Sequence, residues 1–427
     1  MPIIDFHDHY YPPEYIKAIE QGPSAVRITH DAEGNPWLHY PGDYNVAVRG
    51  HRDIDYREQV LREKGIDIQV ITLTTPGTHI EEPSTAVRLA RLVNDAFARV
   101  VADKGRFVAL ATLPLCDPTA STAELRRAME QLRFPGAMLF SNINGVALSD
   151  QRFWPIYEVA NELGAVLHIH PTNPVGVEAM LDYWLMPLVG FLFDTTLAAA
   201  GLVFSGVTER FPRIRWVLGH LGGAIPYLVE RLDRGYEAFA ECRKHIQQPP
   251  SAYLKRFYYD TVNFDPRALE LAVSFAGADQ ILAGSDYPHQ IGSIDKMLES
   301  LRAMRVSEDD RNKILGGNAE KLLKVSVDAQ DRAIGSSAKL GAHGHGFQMT
   351  RWPDLPIDPI SLRPRSLRCP HVRICISNVP QSLTLRTLFR RPAPAPGGSG
   401  CGEGVAENRL PRELPAGADM LRSGRLQ

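Results

Sequence analysis

The segment IIDFHDHYYPP, residues 3–13, decides how the rest of the chain is read. Its apolar residues Ile3, Ile4, Phe6 and Tyr10 frame the triplet His7-Asp8-His9, the pattern of a short strand. Side chains alternate across a strand, so His7 and His9 share one side and Asp8 faces the other. Two imidazoles on one side are half of a metal site, or simply two polar residues that end a strand. The triplet alone leaves both readings open.

Working outward, seven more strand-like runs follow: 68–74 (IQVITLT), 107–113 (FVALATL), 136–141 (GAMLFS), 165–170 (AVLHIH), 214–220 (IRWVLGH), 257–262 (FYYDTV) and 280–285 (QILAGS). Helical patterns separate them, at 84–105, 117–132, 150–164, 195–211, 224–239, 265–277 and 293–304. Several strands are continuous apolar runs, as expected where helices cover one face and a packed interior the other. Eight strands alternating with helices over residues 1–325 predict an α/β fold, a (β/α)8 TIM-type barrel. An open doubly wound sheet would carry a Gly-rich phosphate loop, and neither GxGxxG nor GxxxxGK[ST] occurs.

Such barrels place their chemistry at the C-terminal ends of the strands. His7 and His9 end the first strand, His168 and His170 the fifth and His220 the sixth, while Asp286 follows the eighth. Imidazole nitrogens and a carboxylate converging on one mouth are the donors that zinc and related divalent ions accept.

Composition bounds the alternatives. The chain has 427 residues, 44% of them hydrophobic, and a formal net charge of −2. That balance offers no global attraction for nucleic acid or an anionic membrane. Five scattered cysteines without a CxxC argue against a disulfide framework or a thiolate zinc site and suit a reducing cytoplasm. Asp5, His7 and Asp8 interrupt any apolar signal-peptide core. The apolar stretch 183–207 imitates a membrane span, but Pro187 and Asp194 break it; a helix in the core or in a subunit interface is expected. Residues 326–427 read as an irregular Pro/Gly/Arg-rich tail. They carry 14 Lys+Arg against 8 Asp+Glu, a net of +6 that leaves −8 for residues 1–325. The tail has its own His343-Gly344-His345, with no strand to hold it.

Taken together, HDH on the first strand, HP after the fifth, GHLGG after the sixth and GSDYP after the eighth resemble the metal-dependent amidohydrolase superfamily. More narrowly, they resemble its branch of non-oxidative decarboxylases that includes 2-amino-3-carboxymuconate 6-semialdehyde decarboxylase, alongside some hydratases and hydrolases. The resemblance runs from about residue 3 to about residue 324 and stops before the tail. It implies one divalent ion, Zn2+ first and Mn2+, Co2+ or Fe2+ as alternatives, held by His7, His9, His170 and Asp286. It implies His220 as general acid/base beside Asp286, and a homodimer in which Arg231 reaches the substrate carboxylate of the neighbouring subunit. Arg49 would be a second carboxylate-binding arginine, with Arg52 its competitor; His289 is a candidate substrate contact from its own position, three residues after Asp286.

The fourth strand ends MLFSNING, without the lysine that bridges two metals elsewhere in the superfamily, so one ion is expected. His168 is expected to be a layer residue inside the barrel. The chain departs from the aminocarboxymuconate enzyme at Thr172 and Asn173 after the HP pair and at His289, where aromatic residues are expected; a more polar pocket follows. The expected function is a metal-dependent, non-oxidative decarboxylase of an unsaturated or aromatic carboxylic acid. A hydrolase or hydratase on the same ligands is the alternative, and a barrel that only binds a partner is a third reading.

Overall fold

The computed structural model describes residues 1–325; the tail with its His343 and His345 lies outside the described residues. Eight strands run in order: β1 (Ile4–His9), β2 (Ile68–Thr72), β3 (Phe107–Ala109), β4 (Gly136–Phe140), β5 (Val166–His170), β6 (Arg215–Leu218), β7 (Tyr258–Asp260) and β8 (Ile281–Leu282). A helix precedes or follows each of them: α1 (Ile54–Lys64), α2 (Pro83–Lys104), α3 (Pro118–Glu130), α4 (Trp154–Leu163), α5 (Phe191–Phe204), α6 (Ile225–Ala238), α7 (Pro266–Ala276) and α8 (Ile294–Ala303).

The strands form two parallel sheets, β1-β2-β3 and β4-β5-β6-β7-β8, each in sequence order. Short parallel bridges join them at both edges. Ala111 pairs with Ala137, its amide donating to the Gly136 carbonyl at 2.9 Å. Asp8 pairs with Tyr287, and the Phe6 amide donates to the Ala283 carbonyl at 2.8 Å. The expected strands 107–113 and 280–285 are therefore shorter than their apolar runs. At β8 the reason is chemical: the Gly284 amide donates to Thr261 Oγ1 (3.0 Å) and the Ser285 amide to Asp5 Oδ1 (2.9 Å). A side chain takes the Gly284 amide outright, and the Ser285 amide is shared between Asp5 and the His7 carbonyl, 3.3 Å away.

Strands β1, β2, β4 and β5 are buried along their length, as expected where both faces are covered. Ile4, Phe6, Val70, Leu110, Val166, Val217 and Leu282 form one buried cluster closed by Leu322 and Leu323 of the last helix, Asn318–Leu323. Between β1 and α1 lies an antiparallel sheet that the periodicity did not reveal, Arg27–His30, Pro36–Tyr40 and Asp43–Val46.

The expected helix 195–211 is α5 followed by Val207–Arg210, separated at Gly206, whose φ of 81° no continuing helix tolerates. The stretch Met186–Phe204 is long and apolar enough to cross a membrane by length and composition. Here it lies on the protein: Ala198, Ala199, Leu202 and Val203 are buried, and buried Asp194 accepts hydrogen bonds from Ser141 Oγ and, at 2.8 Å, from Asn142 Nδ2. Its other face leaves Leu188, Val189, Phe193 and Leu197 exposed.

Candidate metal and active site

Three histidines have one ring nitrogen fixed by a neighbour that can only, or does only, accept. His7 Nδ1 bonds the carboxylate of Asp260 at the end of β7. His9 Nδ1 lies 3.0 Å from Thr72 Oγ1, whose own hydroxyl is donated to the Asp8 carbonyl at 2.8 Å. His170 Nδ1 lies 2.7 Å from the Pro171 carbonyl. Each Nδ1 must then carry the proton, which leaves each Nε2 a free lone pair; these tautomers follow from the hydrogen-bond network. Such outer partners orient metal-binding imidazoles.

The Nε2 atoms converge. His7 Nε2 is 3.2 Å from His9 Nε2, His9 Nε2 is 3.1 Å from Asp286 Oδ1 and His7 Nε2 is 3.5 Å from the same oxygen. Ligands about 2.0–2.1 Å from a tetrahedral ion stand about 3.3 Å apart. His170 Nε2 is buried and has no partner. Two lone pairs facing each other at 3.2 Å, with a third unpaired beside them, repel unless a cation lies between them. The donor set therefore fits one divalent ion.

The electrostatics agree. Burial holds His9 and His170 well below the usual imidazole range. Burial opposes ionisation of Asp286, but the neighbouring imidazoles, His220 first, outweigh it and hold the carboxyl well below its usual range. Neutral imidazoles and an ionised carboxylate are the forms that bind metal. Burial also lowers His7, yet the carboxylates of Asp260 and Asp286 raise it overall; a cation at Nε2 competes for the same lone pair and reverses that balance.

His220 begins the tight turn His220–Gly222 after β6, with Nε2 3.7 Å from Asp286 Oδ2. Its ligand atom and those of His7, His170 and Asp286 lie within 4.8 Å of one another. His220 and Asp286 have φ of 53° and 56°, a left-handed backbone that non-glycine residues hold mainly where surrounding structure enforces it. For His220 the enforcing group is Asp260, which accepts the amides of His220 (3.0 Å) and Leu221 (2.9 Å) as well as the His7 ring. Close packing also requires glycine at Gly284, where a Cβ would meet His7 Cβ at 2.9 Å.

The other expected residues divide. Asp8 is turned away from the cluster and forms a fully buried ion pair with Arg57, 2.7 Å apart. His168 is buried with both ring nitrogens unpartnered, its ring 4.9 Å from that of His7, the place of an interior layer residue. His289 stands at the cluster's edge, its ring 4.8 Å from that of His9. Arg49 does not face the cluster: it is exposed, bonds Asp53 at 2.9 Å and covers the Tyr56 ring. Arg52 is likewise engaged, by the Ala47 carbonyl and Asn35. Arg231 is exposed on α6, outside the cluster of its own subunit. Sequence reasoning missed Asp260, His51 and His79. Asp260 left one signal, an acid at the end of an otherwise apolar and aromatic strand.

The chain matches the amidohydrolase family model over residues 4–325. It is 35% identical to a 2-amino-3-carboxymuconate-6-semialdehyde decarboxylase of Dictyostelium discoideum, over 75% of this chain and 91% of that protein. Among solved structures it is similar to the 5-carboxyvanillate decarboxylase of Sphingomonas paucimobilis, with a TM-score of 0.68 and 27% identity, covering 76% of this chain and 99% of that one. A dihydroxybenzoic acid decarboxylase of Polaromonas sp. JS666, solved with manganese and the inhibitor 2-nitroresorcinol, is also similar. Its TM-score is 0.64 and its identity 27%, covering 76% of this chain and 97% of that one.

Proposed function

We propose, from the premise that this chain belongs to the amidohydrolase family, that it releases CO2 from an aromatic or similarly conjugated carboxylic acid at the centre formed by His7, His9, His170 and Asp286. It is an enzyme, and its reaction is a non-oxidative decarboxylation. The observation that carries the site assignment is the convergence of three Nε2 lone pairs and the Asp286 carboxylate beside the imidazole of His220, whose Nδ1 has no partner. The two sheets, bridged at both edges, act in this reading as one eight-stranded barrel whose mouth is this centre.

A divalent ion held by these four residues would supply Lewis acidity toward a substrate oxygen. Zinc suits three imidazoles and a carboxylate, and manganese, bound in the Polaromonas structure, is the alternative that elemental analysis separates. His220 delivers a proton to the ring carbon that bears the carboxylate. That carbon then holds both substituents, the C–C bond breaks, its electron pair returns to the conjugated system and CO2 leaves. Asp260 keeps His7 and the His220 backbone in place throughout.

The homodimer belongs to the same proposal. The exposed residues Leu188, Val189, Phe193 and Leu197 on the α5 side and Tyr227 on α6 make an apolar surface suited to a second copy. Arg231, one turn beyond Tyr227, would enter the neighbouring subunit's site and hold a carboxylate. A cytoplasmic location belongs to the proposal too, on the scattered, CxxC-free spacing of the five cysteines.

The test is to incubate metal-loaded protein with ortho-hydroxylated benzoic acids and with ester and amide analogues. CO2 release from the acids supports the proposal. Hydrolysis of the analogues without CO2 release would replace it.

A further inference from the structure

Two imidazoles on the β1–β8 side of the centre have no part in the proton transfer. The ring of His289, in the loop after Asp286, lies 4.8 Å from that of His9 and 5.0 Å from that of His51. His51 comes from the helical turn Arg49–Arg52 and is only 2% exposed, yet neither of its ring nitrogens has a hydrogen-bond partner. An imidazole always carries at least one N–H, and burying it unpaired is costly.

The turn is built to hold His51 there. Gly50 lies so close to the His289 loop that a Cβ would meet the Tyr287 hydroxyl at 2.6 Å. The Gly50 carbonyl accepts from Arg57 Nε at 3.0 Å, and the His51 carbonyl accepts from the Tyr11 amide at 2.7 Å. His289 is partly exposed, so the pair extends from the metal ligands toward the open side. The neighbouring cations are committed elsewhere, Arg57 to Asp8, Gln69 and two carbonyls, and Arg49 to Asp53. This side of the site presents imidazole donors and acceptors rather than a guanidinium.

We propose that His51 and His289 form a two-imidazole subsite that receives a hydroxyl substituent of the substrate ring and so selects acids with oxygen on both flanks of the carboxylate. The proposal rests on the decarboxylase reading of the site. A hydroxyl donates one hydrogen bond and accepts another, and a pair of imidazoles offers one lone pair and one N–H to match it. His220 works from the β6 side, so ring protonation and hydroxyl recognition come from different strands.

The probes are 2-nitroresorcinol, with hydroxyls on both flanks of its nitro group, and 2-nitrophenol, with one. Binding to the metal-loaded full chain is measured by calorimetry for wild type, His289→Phe and His51→Asn, with metal content determined for each. Wild type is expected to prefer 2-nitroresorcinol. Each variant is expected to lose at least about tenfold of that preference while its affinity for 2-nitrophenol changes by less than about threefold. No preference in wild type, an unchanged preference in metal-loaded His289→Phe, or loss of the metal from that variant would each overturn the proposal; His289→Phe decides it if His51→Asn does not fold. Failure of the underlying reading shows separately, as absence of CO2 release from wild type.

Discussion

Asp260 binds the Nδ1 side of His7 and, through the same carboxylate, the backbone amide of His220. In the proposed mechanism one carboxylate thus aims the His7 lone pair offered to the ion and sets the turn that presents His220 for proton transfer. Burial opposes its ionisation, but His7 outweighs that and keeps it below the usual carboxylate range. Asp260→Asn keeps the shape but lets the amide nitrogen meet His7 Nδ1, favouring the wrong tautomer. We expect metal affinity to fall by about 10–100-fold, as for other outer partners of metal ligands. Titration of the stripped protein with zinc and manganese reads this directly, and unchanged affinity would refute the tautomer assignment.

His220→Asn separates proton transfer from metal binding. The metal content is expected to hold, because His7, His9, His170 and Asp286 remain. Turnover is expected to fall by about 10²–10⁴-fold, the usual contribution of a general acid. A variant that turns over normally would take the proton-transfer role from His220; one that loses its ion would make His220 a ligand.

Arg57 and Asp8 are both fully buried, and removing one leaves the other without its partner. Arg57→Leu should destabilise the fold by about 3–5 kcal/mol, the usual cost of breaking a buried pair. Asp8→Asn keeps a side-chain oxygen that can accept from Arg57 Nη1, so it should cost less. Urea unfolding curves compare the two variants, and equal or negligible losses would contradict this ranking.

His79 supplies a pH dependence away from the metal ligands. Burial pushes it down to about 4, its ring packs at a tilt against Phe140 with centroids 4.4 Å apart, and its Nδ1 has no partner. The unfolded chain binds this proton near the ordinary imidazole value of about 6.5, the folded chain only near 4, so protonation favours unfolding between them. Stability from this residue is therefore complete above about pH 6.5 and lost as pH falls toward 4, by on the order of 3 kcal/mol. His79→Gln should flatten the slope of unfolding free energy against pH by that amount; an unchanged slope would show that His79 is accessible to protons in the folded state.

The strand ends whose histidines cluster could be read in advance because their apolar runs are long and their polar residues sit at one end of each run. The antiparallel sheet of residues 27–46 could not, since its strands are only four or five residues long and only the central one, Pro36–Tyr40, alternates buried and half-buried positions. The placement of Arg49 was not legible from motif position, because it follows from local partners: Asp53 lies one helical turn away and Tyr56 just beyond, and both engage the guanidinium. Asp260 and His51 stayed hidden because their roles depend on contacts with β1 and with the loop after β8, far away in the chain.

The central claim is that a single divalent ion at His7, His9, His170 and Asp286 is required for CO2 release. The most direct test measures CO2 evolved from 2,6-dihydroxybenzoate by the full chain as purified, after chelation, and after readdition of zinc or manganese, with metal content determined alongside. The account predicts one ion per chain, loss of CO2 release with the ion and recovery on its return. Undiminished CO2 release from metal-free protein, or none from protein carrying its full complement of metal across the ortho-hydroxylated acids, would contradict it.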